Sequence, residues 1–139
     1  MNLKKLITAT ILSFIVMFAV GGLWYAGLMA EFYENNFATF GSLARPTTIF
    51  PQLIVEIIIV AFILAWIFPK ISKGEYLLKG GLMMGAVVGL LIALPGYLAQ
   101  MAVGTGVEWA GIIVDTLFRI VEQGVGGLVV AWIYRRNSK

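Results

Sequence analysis

The chain of 139 residues contains neither cysteine nor histidine. The first absence excludes disulfides, thiolate nucleophiles and zinc fingers. The second excludes an imidazole base, histidine-ligated haem and the usual transition-metal sites. Only carboxylates are left to hold a metal, and neither a metal site nor a cofactor is expected. Charge is also scarce: ten Lys and Arg and seven Asp and Glu make up 12% of the residues, against 60% hydrophobic. A soluble domain of this length needs far more charged surface, and a disordered chain is still less apolar, so the composition is that of a membrane protein. The chain has no nucleophile elbow, no phosphate loop and no Gly-x-Gly-Asp motif, and no enzymatic activity is expected.

What is present is long apolar runs. A helix needs about 20 apolar residues to cross the hydrocarbon core, and four runs approach that length: residues 6–30, 51–68, 80–103 and 109–134. Lipid leaves no partner for an open strand edge, so each run is expected to be a helix. The fold class that follows is all-α, a single membrane domain over residues 1–139 built as a four-helix transmembrane bundle. Outside the runs, Lys4, Lys5, Lys70, Lys73, Lys79, Arg135, Arg136 and Lys139 share one side and Arg45 alone takes the other. Positive charge is retained in the cytoplasm, which puts both termini there, most naturally at a bacterial cytoplasmic membrane. The net charge of +3 then reflects topology and contact with the lipid bilayer rather than nucleic-acid binding. The first run outreaches a signal-peptide core, and Leu28 stands where cleavage after Ala30 would want a small residue, so an uncleaved helix is expected. Between the first two runs, residues 31–50 form an external segment. Its Tyr33, Phe37 and Phe40 are spaced for a short amphipathic helix on the membrane surface, either an interfacial anchor or a lid.

Ionisable side chains inside a span are expensive and mark candidate sites. There are four: Glu56 in the second span, and Asp115, Arg119 and Glu122 in the fourth. At 100° per residue the last three fall within roughly 60° of arc, so one helix face carries them all. Arg119 can pair with Asp115 and Glu122 on its own helix, whereas Glu56 has no cation in its own span. Counting about 1.5 Å per residue from the external ends, Glu56 and Asp115 lie level, roughly 8 to 9 Å deep. Trp24 and Tyr25 after Gly21-Gly22, and Pro95, Gly96 and Tyr97 as a hinge in the third span, fall near the same layer and complete a candidate cavity.

Glycine spacing adds a packing expectation. Gly81, Gly85 and Gly89 line one face of the third span, and Gly124 and Gly127 follow the charged turn of the fourth. Such stripes let backbones approach closely, either inside the bundle or at the seam of a homo-oligomer. A weak internal duplication is also legible: Tyr25, Met29 and Ala30 align with Tyr97, Met101 and Ala102, while the stretch ending at Glu56 aligns with the stretch ending at Asp115. That pattern predicts two parallel-repeat hairpins with Glu56 and Asp115 as equivalent groups near a shared axis.

The stretches Gly21-Gly22-Leu23-Trp24-Tyr25 and Val121-Glu122-Gln123-Gly124-Val125-Gly126-Gly127-Leu128 resemble those of small bacterial four-span membrane proteins of unknown function. The resemblance implies no activity and assigns no role to any residue. Length and span number are also similar to the small multidrug transporters, but those keep an acid in the first span and this chain has none there. Two readings follow from the residues. One is a non-enzymatic bundle whose Glu/Asp/Arg network is structural and which acts as an accessory or envelope factor. The other is a small proton-coupled carrier or channel protomer that uses Glu56 and Asp115 to move a small cationic or polar solute; the small-molecule ligand is not identified by the sequence.

Overall fold

A computed structural model describes residues 2–32, 50–103 and 108–136. The proposed surface helix around Tyr33, Phe37 and Phe40, and Arg45 with it, lies outside the described residues. Among the described residues there is no strand, and four long helices carry the fold: α1 (Leu3–Gly22), α2 (Phe50–Ile71), α3 (Leu78–Val103) and α4 (Trp109–Arg136). Three segments are long and apolar enough to cross a membrane: Leu3–Leu28, Pro51–Ile71 and Leu78–Ala102. The protein therefore has the helices of a membrane protein in contact with lipid. α4 is not among these segments, although it is the longest helix. It carries Asp115, Arg119 and Glu122 in its middle.

Local chemistry sets the helix ends. The Asn2 side chain caps α1, its carbonyl accepting from the amides of Lys4 and Lys5 at 3.0 and 3.4 Å. Pro51 sits in the first turn of α2, where its missing N–H is harmless. The second run was expected to stop at Phe68, before Pro69, but α2 continues through Pro69 to Ile71. Lys73 and Gly74, with φ of 47° and 95°, then turn the chain back into α3. α1 departs from regular geometry at its far end: Leu23–Leu28 is a π-helical segment, closed by the amide of Met29 donating to the carbonyl of Trp24 at 2.9 Å. Sequence periodicity gave no sign of it.

Cross-helix contacts fix the directions. Ser13 donates to the carbonyl of Gly126 at 3.1 Å, and Tyr25 reaches Asp115, so α1 and α4 run antiparallel. Gly81 lies against Gly127 and Gly89 against Arg119, which makes α3 and α4 antiparallel as well. Tyr134 donates to the carbonyl of Ala65 at 3.0 Å while Glu56 approaches Arg119, so α2 runs with α4. The starts of α1 and α3 and the ends of α2 and α4 thus gather at one end, together with Lys4, Lys5, Lys70, Lys73, Lys79, Arg135 and Arg136. The apolar core sits at this basic end, built from Leu6, Ala61, Leu64, Ala65, Phe68, Val130, Ala131 and Tyr134.

The outward faces are as apolar as the core. On α1 the small or slim residues Ala9, Ser13, Met17 and Gly21 point inward, while Ile7, Ile11 and Ile15 point out. On α2 Val55, Ile58, Ile59, Phe62 and Ile63 are exposed. In water such a surface would drive aggregation; against acyl chains it has no such cost, and close packing of small residues replaces the hydrophobic effect as the force joining helices.

The glycine stripe shows where that packing is tightest. A Cβ on Gly81, Gly85 or Gly89 would lie 2.3, 2.0 or 2.3 Å from the carbonyl oxygens of Gly127, Gln123 or Arg119, and one on Gly127 would lie 2.1 Å from the carbonyl of Gly81. Gly124 opposes Leu82 in the same interface. The stripe is covered by α4 of the same chain, the internal packing that was one of the two expectations for it. The two halves also pack unequally. α3 is pressed onto α4 along this stripe, α1 packs on both α2 and α4, and α2 barely meets α3. Two equivalent hairpins would not give that pattern.

Candidate functional site

The four ionisable residues singled out by the sequence meet at the guanidinium of Arg119. Arg119 Nη1 lies 3.1 Å from Glu122 Oε2, one turn along the helix, and its Nε lies 3.8 Å from Asp115 Oδ2, one turn back. These two contacts follow from helical spacing. The third does not: Arg119 Nη1 also lies 3.8 Å from Glu56 Oε1 on α2. Glu56, which has no cation in its own span, meets one from α4. Glu56 and Asp115 are also not equivalent, because the Glu56 side chain is 41% exposed whereas Asp115 is 1% exposed.

Asp115 is held from two other helices. Tyr25 on the π-helical segment donates to its Oδ1 at 2.6 Å, and Tyr97 on α3 donates to its Oδ2. The two tyrosines that align in the internal duplication therefore converge on one carboxylate, each on its own oxygen. Aromatic packing steadies the bracket. Trp24 stacks on Phe118 with ring centroids 4.6 Å apart, Tyr25 meets Phe118 edge-on at 5.2 Å, and the Arg119 guanidinium lies 5.6 Å from the Tyr25 ring. The π-helical turn matters here because its i→i+5 bonding takes an extra residue into the turn and so changes which residues of α1 face α4.

Glu122 is 1% exposed and forms part of the floor of a cleft of about 310 Å³ between α1, α2 and α4. Arg119 and Tyr25 share the floor, and Phe18, Leu53, Ile57 and Ala26 form apolar walls. Gly21 and Gly22 line the α1 side, and the first is required: a Cβ on Gly21 would lie 2.7 Å from Glu122 Oε1. Gln123 donates to Glu122 Oε2 at 3.3 Å and is buried beside it, while its own Oε1 and the hydroxyl of Thr116 have no partner among the described residues. Gln123, Thr116 and Phe118 belong to this region and escape a search limited to charged residues, although a glutamine beside Glu122 in mid-helix was a visible signal. No cluster of carboxylates with metal-binding spacing occurs among the described residues.

Pro95 and Gly96 are placed differently from expectation. α3 runs through both without interruption, both are exposed, and neither lines the cleft. Only Tyr97 of that trio turns inward. Trp24 and Tyr25 face α4, as a cavity layer requires, whereas Trp109 is 57% exposed and sits on the outside.

No known protein family matches the chain, and neither a curated protein nor a solved structure matches it.

Proposed function

We propose that the protein is a non-enzymatic, four-span membrane protein, both termini cytoplasmic, that binds a small polar or cationic solute in the cleft between α1, α2 and α4 and couples its passage to protons at the Arg119 cluster. α4 qualifies as the fourth span on its outer face. Ile113, Leu117 and Val121 form an exposed apolar stripe at intervals of four, with the charged residues turned away from it. The basic end supports the orientation, since Lys and Arg collect on the cytoplasmic side of bacterial inner-membrane proteins.

The observation that carries the solute reading is Glu122, a carboxylate almost wholly buried in the protein that nonetheless borders an open cleft. Three carboxylates share one guanidinium, an excess of two negative charges when all four groups are ionised. An unbalanced buried charge is costly, and protein interiors keep one where a proton or ligand completes it.

The accessory-factor reading draws on a different observation. Tyr25, Tyr97 and Glu56 tie α1, α3 and α2 to α4, and such ties serve as fasteners in a scaffold. Thermal melting of Glu122→Gln in detergent separates the two. A binding residue is retained against stability, so the variant should melt at or above the wild-type temperature. A melting temperature several degrees lower would mark the network as scaffold and remove the solute reading.

A further inference from the structure

The two oxygens of Glu122 are used differently. Both donors that reach this carboxylate, Arg119 Nη1 at 3.1 Å and Gln123 Nε2 at 3.3 Å, go to Oε2. Oε1 has no donor among the described residues and faces Gly21, where a Cβ would lie 2.7 Å from it. The side chain is about 2% exposed, so this acceptor is hidden from every direction except the cleft that Glu122 lines. A buried carboxylate oxygen left open on one side is an unfilled place for a hydrogen-bond donor.

The charge around it selects among donors. An anion would meet Glu56 and Glu122 against a single guanidinium already shared three ways, and a neutral donor would leave the excess negative charge as it stands. A cation with N–H donors fills the open oxygen and reduces the imbalance. The remaining walls, Phe18, Leu53 and Ile57, are apolar and suit a short hydrocarbon body, and the volume of about 310 Å³ is at the small end of ligand pockets. We propose that the cleft receives a small alkylammonium cation, its N–H donating to Glu122 Oε1 from the cleft beside Gly21 and its alkyl part lying against Phe18, Leu53 and Ile57. This deepens the solute reading by naming the ligand class, and rests on it.

The test is calorimetric titration of the full-length protein in detergent with n-propylammonium chloride, against n-propanol and potassium chloride as matched probes lacking the charge or the alkyl body. Propylammonium should bind saturably and the other two should not. Gly21→Ala, which places a methyl group over Oε1, and Glu122→Gln should each weaken binding by roughly tenfold or more, the loss expected of one hydrogen bond to a charged group. Gly96→Ala, on the exposed face of α3, should bind within about twofold of wild type and controls for the glycine substitution itself. Circular dichroism of each variant establishes that it is folded, and either of the two site variants suffices if the other is not. Propanol binding as well as propylammonium, or undiminished binding by a folded Gly21→Ala, overturns the proposal. If propylammonium fails while Glu122→Gln keeps its melting temperature, the ligand class is wrong and the cleft still stands as a solute site; if that variant also loses stability, both fall.

Discussion

Asp115 shows how much of this protein is decided by single atoms. Its two oxygens each take one phenol, one from the π-helical segment and one from α3, and the Tyr25 ring also packs edge-on against Phe118. Tyr25→Phe and Tyr97→Phe should therefore each remove one hydrogen bond with little loss of packing, lowering unfolding free energy by about 1 to 3 kcal/mol in a denaturant titration. Because both act on one carboxylate, the double variant should depart from additivity, which a double-mutant cycle would read directly. Additive losses would mean that the two tyrosines stabilise their own helices and not a shared bracket. Glycine provides the second residue-scale contrast. Gly85→Ala puts a methyl group 2.0 Å from the backbone carbonyl of Gln123, which cannot move without parting α3 from α4, so a loss of at least about 1 to 3 kcal/mol is expected. Gly96→Ala meets nothing within 4 Å and should be neutral or stabilising by about 0.5 to 1 kcal/mol, because alanine loses less backbone entropy in a helix. Thermal melts of the pair should fall on opposite sides of wild type.

Among the elements, α4 and the end of α1 are the extremes. α4 packs on every other helix and buries a residue in nearly every turn, whereas the π-helical segment Leu23–Leu28 buries none completely. Local opening follows buried contact, so hydrogen exchange should release the Leu23–Leu28 amides well before those of Ala9–Met17 in the same helix, with the middle of α4 last. Uniform protection along α1 would show that the π-helical turn is as firmly held as the rest. This is also where sequence and structure part most clearly. The face shared by Asp115, Arg119 and Glu122 was legible because all three lie on one helix with a fixed period. The partnership of Arg119 with Glu56, and of Asp115 with Tyr25 and Tyr97, was not, because it depends on how separate helices are rotated about their axes. Pro95-Gly96 misled for a related reason. A helix-breaking pair says that a hydrogen bond is lost, not that the helix bends, and neighbouring turns carry α3 through it.

For the molecule as a whole, the gathering of seven Lys and Arg at one end gives a topology that can be read in intact cells. The chain has no cysteine, so single cysteines report without background. Under the proposed four-span topology Glu108→Cys, at the exposed start of α4, should react with a membrane-impermeant maleimide from outside, and Asn2→Cys only after the membrane is opened; labelling of both from outside would overturn that proposal. At the basic end Lys70 lies 3.2 Å from the Trp66 ring centroid and Arg136 5.4 Å from that of Trp132, pairs suited to the headgroup layer. The sequence by itself determined the solvent, the helical class and the face on which α4 keeps its charges, because hydropathy and the 3.6-residue period are properties of consecutive residues. Only the tertiary structure decided that one guanidinium serves three carboxylates, that the glycine stripe belongs to α3 and α4 of one chain, and that Glu122 turns an open oxygen toward Gly21. Those outcomes rest on the rotation and close approach of helices distant in sequence, where differences of a few ångströms separate a contact from a gap.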